Sequence, residues 1–320
     1  MSLFADASPL RPLGLGEIFD RAITVYVRNF LAFSAILLVV LIPLSLAQYL
    51  SVAQQHQSGS LTQIVAQIEH PPKPGSKTAA PVAPFSPWAV LSVVVSLFLS
   101  PFANVAVALG VARVYFGKTV DWRACYSAVL RRWPSMLLLT LFEIGTFIGW
   151  VFGAVISLGL MGVLGVFTFL AVPFLGVIVF IVAGILFLAW MISLMLVVLA
   201  IFFAFNALVI EELGLGAAFR SGFSRIFARP EIGKATVVGL CLLAIQFGIV
   251  MVVMGIELLV LSSTKTAGLS VLFSSLISLI SSAFIGILIA VYYFDVRVRR
   301  EGLDMQTSLQ LIASDAPVPA

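Results

Sequence analysis

Hydrophobic residues recur every three or four positions between residues 13 and 30, and this spacing predicts an amphipathic helix. Glu17, Asp20 and Arg28 fall on its polar face. An apolar run follows directly, so we expect the helix to lie on a membrane surface and to lead into a membrane span. The predicted apolar face consists of Leu15, Ile18, Phe19, Ala22, Ile23, Tyr26 and Phe30.

Two weaker amphipathic segments, 113–132 and 211–234, are each followed by another apolar run. Asp121 is predicted to cap the helix of the first segment, and Arg225 is assigned to the polar face of the second. The predicted apolar faces are Trp122, Cys125, Val129, Leu130 and Trp133, and then Ala218, Phe219, Gly222, Phe223, Ile226 and Phe227.

The three segments align without gaps, which places Phe19 opposite Cys125 and Phe219. The order of elements is the same each time: a surface helix, a span leading out and a span leading back. We therefore predict three tandem repeats in parallel orientation, a known arrangement in membrane proteins. They cover about residues 13–112, 113–212 and 213–302 of one membrane domain.

The apolar runs predict six transmembrane helices in an all-α membrane protein. Pro43 is expected as a tolerated kink in the first span. A proline-containing outer loop is predicted at 51–85, and flexible tails at 1–12 and 303–320. The predicted spans are 31–50, 88–112, two crossings within 135–210, then 235–261 and 269–294.

The apolar stretch 135–210 would form about 114 Å of helix, which hydropathy alone could divide into three crossings of about 30 Å. Charge favours two crossings. With two, 15 of the 18 Lys and Arg residues share one side, whereas three crossings would divide them equally. Basic residues mark the cytoplasmic side, so we expect both termini there, in a bacterial inner membrane. The helix length beyond two crossings predicts that the helices tilt, that their ends project past the membrane, or that the chain dips into the outer leaflet. We expect the helix to break among Gly159, Gly162, Gly165, Pro173 and Gly176.

The composition supports this class, because 61% of residues are hydrophobic, 10% are charged and the mean hydropathy is +1.15. Soluble domains carry about 25% charged residues. The net charge of +4 is therefore better explained by a cytoplasmic face than by nucleic-acid binding. Two cysteines predict no disulfide framework, and no cleavable signal peptide is evident.

Three stretches carry a family resemblance: RPLGLGEIFDRAITVYVRNF at the start, EELGLGAAFRSGFSRI in the middle and YYFDVRVRREGLD near the end. Together they resemble the bacterial family named after the membrane domain of glycerophosphoryl diester phosphodiesterases, from about Arg11 to Asp304. The resemblance implies an inner-membrane protein with about six spans. Some related chains add a soluble phosphodiesterase barrel, but none is expected here. Its catalytic residues cannot be transferred, because the only histidines, His56 and His70, lie in the predicted outer loop.

No catalytic, cofactor-binding or metal motif is predicted. Gly117-Lys118-Thr119 lacks the earlier glycine and the preceding strand of a phosphate-binding loop. Ser262 and Lys265 match part of a serine-enzyme motif whose companion motifs are missing. Glu69 and the two histidines could contact a metal, but a flexible loop supplies no fixed geometry.

A carboxylate within a span is costly unless it is protonated, paired or hydrated, and Glu143 lies about nine residues into the third span. Asn104 and Asn206 lie at similar depths in their own spans. If these helices adjoin, the three side chains form a buried polar layer. Three interpretations stay open: hydrogen bonds between helices, a proton or substrate path, and contact with lipid or a loop.

The closing segment 295–301 is rich in charge and has two interpretations. It could anchor the last span through local pairs, or Asp295 and Arg297 could pair with the surface helices and lock the repeats together. The basic face is also expected to attract anionic lipid headgroups. The residues predicted to form this face are Arg21, Arg28, Arg131, Arg132, Arg220, Arg225, Asp295, Arg297, Arg299 and Arg300.

The function expected from these patterns is a non-enzymatic multi-pass membrane protein whose basic cytoplasmic face contacts anionic lipids or partner proteins. The alternative is a transporter with a polar path near Glu143. An intramembrane enzyme is less favoured, because no nucleophile–base pair or metal cluster has plausible spacing. Association with a protein partner or with a second copy of the chain is left open.

Overall fold

A computed structural model describes residues 11–57, 86–261 and 267–302, and the regular structure in these ranges is entirely helical. Six helices are long and apolar enough to cross a membrane, which confirms the predicted all-α, six-span membrane protein. The helices are α1 (Leu15–Arg28), α2 (Phe30–Gln57), α3 (Pro87–Tyr115), α4 (Trp122–Arg131), α5 (Trp133–Ala171), α6 (Pro173–Ile210), α7 (Leu215–Ile226), α8 (Arg229–Leu261) and α9 (Ala267–Glu301).

The long apolar stretch forms two helices, α5 and α6, as the distribution of charge predicted. They are separated by Val172 alone, and Pro173 is the first residue of α6. Proline has no backbone N–H, so it fits the first turn of a helix and cannot continue the preceding one. Most of the predicted outer loop, residues 1–10 of the first predicted tail and all of the second lie outside the described residues, as do the side chains of His56, His70 and Lys265.

The starts of the short helices follow from local hydrogen bonds. Asp121 caps α4 as predicted, because its side chain accepts a hydrogen bond from the backbone N–H of Arg123 at 3.0 Å. The carboxylate of Glu17 reaches back to the backbone N–H of Gly14 at 2.7 Å at the start of α1. The third short helix, α7, starts after Gly214.

The buried faces of the short helices differ from the prediction in two respects. In α1, Val25 is buried, while Ile23, assigned to the apolar face, is 49% exposed. The ungapped alignment had placed Cys125 opposite Phe19. By burial, Cys125 of α4 corresponds to Ile18 of α1, so the alignment was wrong by one residue in the middle segment. In a helix of ten residues, the spacing of apolar residues does not decide between these two alignments, because several large apolar side chains are exposed. These exposed side chains of α4 and its flanks are Trp122, Leu130 and Trp133.

The helices pack in a closed circle of three units. The second span of each unit lies at the centre, and these are α3, α6 and α9. Each short helix packs on the central helix of the preceding unit: α4 on α3, α7 on α6, and α1 on α9, which closes the circle. The first spans fill the gaps, so that α2 contacts α3 and α9, α5 contacts α6 and α3, and α8 contacts α9 and α6.

We call the end of the bundle that carries α1, α4, α7 and the last turns of α9 the charged end. The main core lies here, where the final turns of α3, α6 and α9 are almost continuously buried. The approach of α7 to α6 depends on Gly222, because a Cβ atom there would lie 2.6 Å from the backbone nitrogen of Ala204. Farther from the charged end, the spans expose large apolar side chains, as expected for surfaces in contact with lipid.

Candidate functional site: the charged end and a lateral cavity

Arg225 is the centre of a buried ionic network that joins three helices. Its guanidinium binds both carboxylate oxygens of Glu211 at 2.6 and 2.9 Å, and its Nε donates to Glu301 at 2.8 Å. The hydroxyl of Tyr293 also donates to Glu211, and the Nε of Arg297 donates to Glu301 at 3.0 Å. We call these five residues the Arg225 cluster. It fastens α7 to the end of α6 and to α9.

The network holds its central pair in the ionised form. Burial raises the pKa of Glu211, but the hydrogen bonds from Arg225 and Tyr293 and the charges of Arg225 and Arg297 outweigh it. The pKa of this carboxyl therefore lies below its ordinary value of 4.5. Burial lowers the pKa of Arg225, but its hydrogen bond to Glu211 and the neighbouring acidic groups raise that pKa above the usual range.

A second cluster surrounds Asp295, whose carboxylate is fully buried. It accepts hydrogen bonds from Lys234 at 2.6 Å, from Arg299 at 3.2 Å and from the backbone N–H of Leu13 at 2.6 Å. Lys234 and Arg299 also donate to the carbonyl oxygen of Leu13. We call these four residues the Asp295 cluster. It ties the segment before α1 to α8 and α9, the two membrane-crossing helices of the third unit.

These contacts correct one prediction and bear on another. Arg225 was assigned to a polar, headgroup-contacting face, but the residue is only 6% exposed and its donors are taken by protein groups. The correction has a physical reason, since Arg225 lies three residues after the buried Gly222 and so faces α6 and α9. The closing segment makes contacts of both predicted kinds. Between units, Arg297 lies 3.5 Å from Glu211, and the backbone N–H of Leu13 donates to Asp295. Local pairs within α9 join Arg297 to Glu301 and Arg299 to Asp295.

The other predicted basic residues divide into two groups. Arg132 donates to the carbonyl oxygen of Leu213 at 3.0 Å, Arg300 donates to that of Ser224 at 2.6 Å, and Arg21 lies over the ring of Tyr115. The second group is exposed, with one arginine near the end of each short helix or within it: Arg28, Arg131 and Arg220. Exposed apolar side chains lie near them in the chain, namely Val27, Leu31, Leu130, Trp133 and Phe227.

A lateral cavity of about 520 Å³ lies between α3, α5 and α6, on the side of the core away from the charged end. Two members of the predicted polar layer, Asn104 and Glu143, line it together with Ser96 and Ser100. The third, Asn206, does not line this cavity and is buried within the core, at 3% exposed. The structure therefore brings together two of the three predicted residues.

Two further cavities occupy the equivalent gaps of the circle. One of about 430 Å³ lies between α6, α8 and α9 and is almost wholly apolar, with Gln246 as its only amide side chain. The other, of about 80 Å³, lies between α9, α2 and α3 and shares Ser100 and Asn104 with the lateral cavity. A carboxyl group lines the lateral cavity, whereas the described residues that line the other two cavities include none.

Gly117-Lys118-Thr119 forms the turn that ends α3, where Gly117 has a left-handed φ of 66°. The backbone N–H of Lys118 donates to the carbonyl oxygen of Arg113 at 2.8 Å, so this sequence acts as a helix terminator. Within the described ranges, no group of three or more His, Cys, Asp and Glu side chains could hold a metal ion.

Comparison with known proteins adds no assignment to this geometry. No protein-family model, curated protein or solved structure matches the chain. The function is therefore argued from the two ionic clusters, the exposed arginines and the lateral cavity.

Proposed function

We propose that this multi-pass membrane protein is non-enzymatic and that its charged end contacts anionic lipid headgroups at the cytoplasmic surface of a bacterial inner membrane. One observation carries the proposal: each short helix, together with its flanking residues, carries an exposed arginine and at least one exposed apolar side chain. Such a helix buries its apolar side chains at the level of the acyl chains while its cations reach the headgroups. The proposed membership of the phosphodiesterase membrane-domain family agrees with this location.

The charge balance of this end favours an anionic partner. The segments 11–28, 113–132, 211–234 and 295–301 contain fifteen basic and eight acidic residues. Three of the acids, Glu211, Asp295 and Glu301, are paired within the two clusters and do not offset the exposed arginines. Each exposed cation near the surface contributes about 1 kcal/mol to the attraction of anionic lipid.

The packing of the core supports this role over the transporter alternative. Below the lateral cavity, the last turns of α3, α6 and α9 are packed by Phe203, Phe205, Tyr292 and Phe294, all almost fully buried. A permease would need a polar route from Glu143 to the charged end. None of the cavities described above crosses this core within the described residues.

Lipid selectivity tests the proposal directly. Spin-labelled phosphatidylglycerol and spin-labelled phosphatidylcholine would be compared in proteoliposomes by electron paramagnetic resonance, which separates protein-bound from bulk lipid. We expect the anionic lipid to associate at least about threefold more strongly with the protein, and less so in high salt. The triple variant Arg28→Gln, Arg131→Gln, Arg220→Gln is expected to lose most of this preference.

The matched control changes an exposed hydroxyl residue on each of the same helices: Thr24→Ala, Ser127→Ala and Ser224→Ala. This triple variant should keep the preference, because no charge is removed. Equal association of the two lipids with the unaltered protein would refute the lipid-contact role, and an unchanged preference in the arginine variant would show that these residues do not carry it.

Orientation is tested separately with a membrane-impermeant maleimide on intact cells. Cys125 and Cys241 would first be replaced by alanine, and single cysteines placed at Lys118, in the exposed turn of the charged end, and at Ser76, in the predicted outer loop. We expect labelling at position 76 in intact cells and at position 118 only after permeabilisation. The reverse result would place the charged end outside.

A further inference from the structure

We infer that the lateral cavity is a binding site for a hydrophobic organic cation that enters from the membrane. The cavity belongs to a different part of the molecule from the headgroup-contacting arginines, so the inference is independent of the proposed function. Its volume of about 520 Å³ falls within the range of small-molecule sites. Three features of the cavity support the inference: access from the side of the bundle, an unpaired acid and aromatic walls.

Access to the cavity is from the side of the bundle. Its walls include Leu97 of α3 and Phe147 and Ile148 of α5, each of which is roughly half exposed on the outer surface. Toward the charged end the cavity is closed by the packed core, next to Phe202 and Asn104. A ligand dissolved in the hydrocarbon can therefore reach the cavity, whereas a solute in the water at the charged end cannot.

Glu143 supplies the chemical signal. It lies about 15 Å along α5 from the start of that helix, well inside the membrane. Its carboxyl group is half-buried, and within the described part of the chain no hydrogen bond or ion pair engages it. The acids at the charged end differ, since Glu211 and Asp295 are each held by cationic partners. An acid left without a partner in a span is costly, and a bound cation would remove that cost.

The other walls fit a cation with a large apolar body. Phe147 and Phe202 offer aromatic faces, which attract organic cations as well as burying hydrocarbon. Asn104, Ser96 and Ser100 add oxygen acceptors to the lining of the same cavity. The equivalent cavity between α6, α8 and α9 has a comparable volume and no acid among its described lining residues, and it therefore serves as an internal control.

The test measures equilibrium binding of radiolabelled tetraphenylphosphonium to the full chain in nanodiscs of zwitterionic lipid, where surface potential is small. We expect saturable binding at about one site per chain. Tetraphenylborate has the same shape and the opposite charge, so it should not compete. The variant Glu143→Gln should bind at least about tenfold more weakly, since it keeps the shape of the side chain and removes the charge.

Two variants keep the result interpretable. Gln246→Leu alters the equivalent apolar cavity and should leave tetraphenylphosphonium binding unchanged. Leu194→Trp places a bulky side chain at the wall of the lateral cavity and should block binding while Glu143 is intact. Each variant is first checked for a single symmetric size-exclusion peak, and Glu143→Met, which also removes the charge, replaces Glu143→Gln if the latter does not fold. Unchanged affinity in the charge-removing variant, competition by tetraphenylborate, or no saturable binding to the unaltered chain would overturn the inference.

Discussion

The guanidinium of Arg225 and the carboxylate of Glu211 form a two-point ion pair between α7 and the end of α6, with both N–O distances below 3 Å. The same guanidinium reaches Glu301 at the end of α9. One buried side chain therefore joins three helices from the second and third units of the circle. If Arg225 is lost, Arg297 at 3.5 Å stays as a cation near Glu211. A buried carboxylate that is only partly compensated is costly.

Removing Arg225 should destabilise the protein severely. We expect Arg225→Met to lower the free energy of unfolding by about 3–5 kcal/mol, since Glu211 and Glu301 would keep their negative charges without their central partner. Thermal unfolding of the purified protein in detergent measures the change. Arg220→Met, on the same helix but exposed, should change stability by no more than about 0.5 kcal/mol. Similar losses in both variants would contradict the role of the buried cluster.

Acid should weaken the same cluster. The pKa of Glu211 in the folded protein lies below its ordinary value, because the hydrogen bonds and positive charges around the carboxylate outweigh its burial. The unfolded chain then binds a proton more readily, so the stabilisation is present above about pH 4.5 and is lost as the pH falls through the folded-state pKa. We expect a fall in the melting temperature between about pH 5 and pH 3.

The comparison variant for this pH dependence is Glu211→Gln. It should be less stable than the unaltered protein at pH 7 and should lose less on acidification, because it has no proton to take up at this position. Glu17→Gln removes another acid whose pKa is lowered, by Arg11 first, but this acid is exposed and its effect should be small. Parallel curves for the unaltered protein and Glu211→Gln would assign the acid sensitivity elsewhere.

Asp295 should control the docking of α1. In Asp295→Asn, Lys234 and Arg299 lose the negative charge between them. Their hydrogen bonds to the carbonyl oxygen of Leu13 should therefore weaken. We expect faster hydrogen–deuterium exchange in residues 13–28, measured by mass spectrometry, with smaller changes in α4. Asp20→Asn, on the exposed face of α1, should leave the exchange of this helix unchanged. Unaltered exchange in Asp295→Asn would show that apolar packing alone holds α1.

Two glycines of α7 should respond to alanine in opposite directions. At Gly222, the added Cβ would meet the backbone of α6 at Ala200 and Ala204, so we expect Gly222→Ala to cost about 1–3 kcal/mol. At Gly216 nothing lies within 4 Å, and alanine should be neutral or stabilising by up to about 1 kcal/mol. Unfolding curves of the two variants test this difference, and equal effects would contradict the close approach of α7 to α6.

The fold was predictable because its strongest signals are local. Each apolar run is long enough to cross a membrane, and charge asymmetry decided the number of crossings within 135–210. The position of the break followed from Pro173, which cannot continue a preceding helix. None of these inferences required knowledge of which helices touch.

The ionic clusters were only partly predictable because their partners are far apart in the chain. Glu301 lies 76 residues from Arg225, and Asp295 lies 282 residues from Leu13. One signal was present, however. The repeat alignment places Arg225 opposite Val25 of α1, an apolar residue that is buried. An arginine in α7 at the position that a buried valine occupies in α1 indicates a buried ion pair. The prediction had instead assigned this arginine to the polar face.

The closing contact of the circle, α1 on α9, has a consequence for biosynthesis. The apolar face of α1, with Ile18, Ala22 and Val25, is made first, whereas its partner surface on α9 is translated more than 250 residues later. At about 5–20 residues per second, the ribosome needs on the order of ten seconds to a minute to bridge that gap. Throughout that interval the surface of α9 on which α1 packs does not exist, and we expect α1 to lie at the membrane interface. The contact between α1 and α9 is therefore expected to form late in assembly, after α9 has been made.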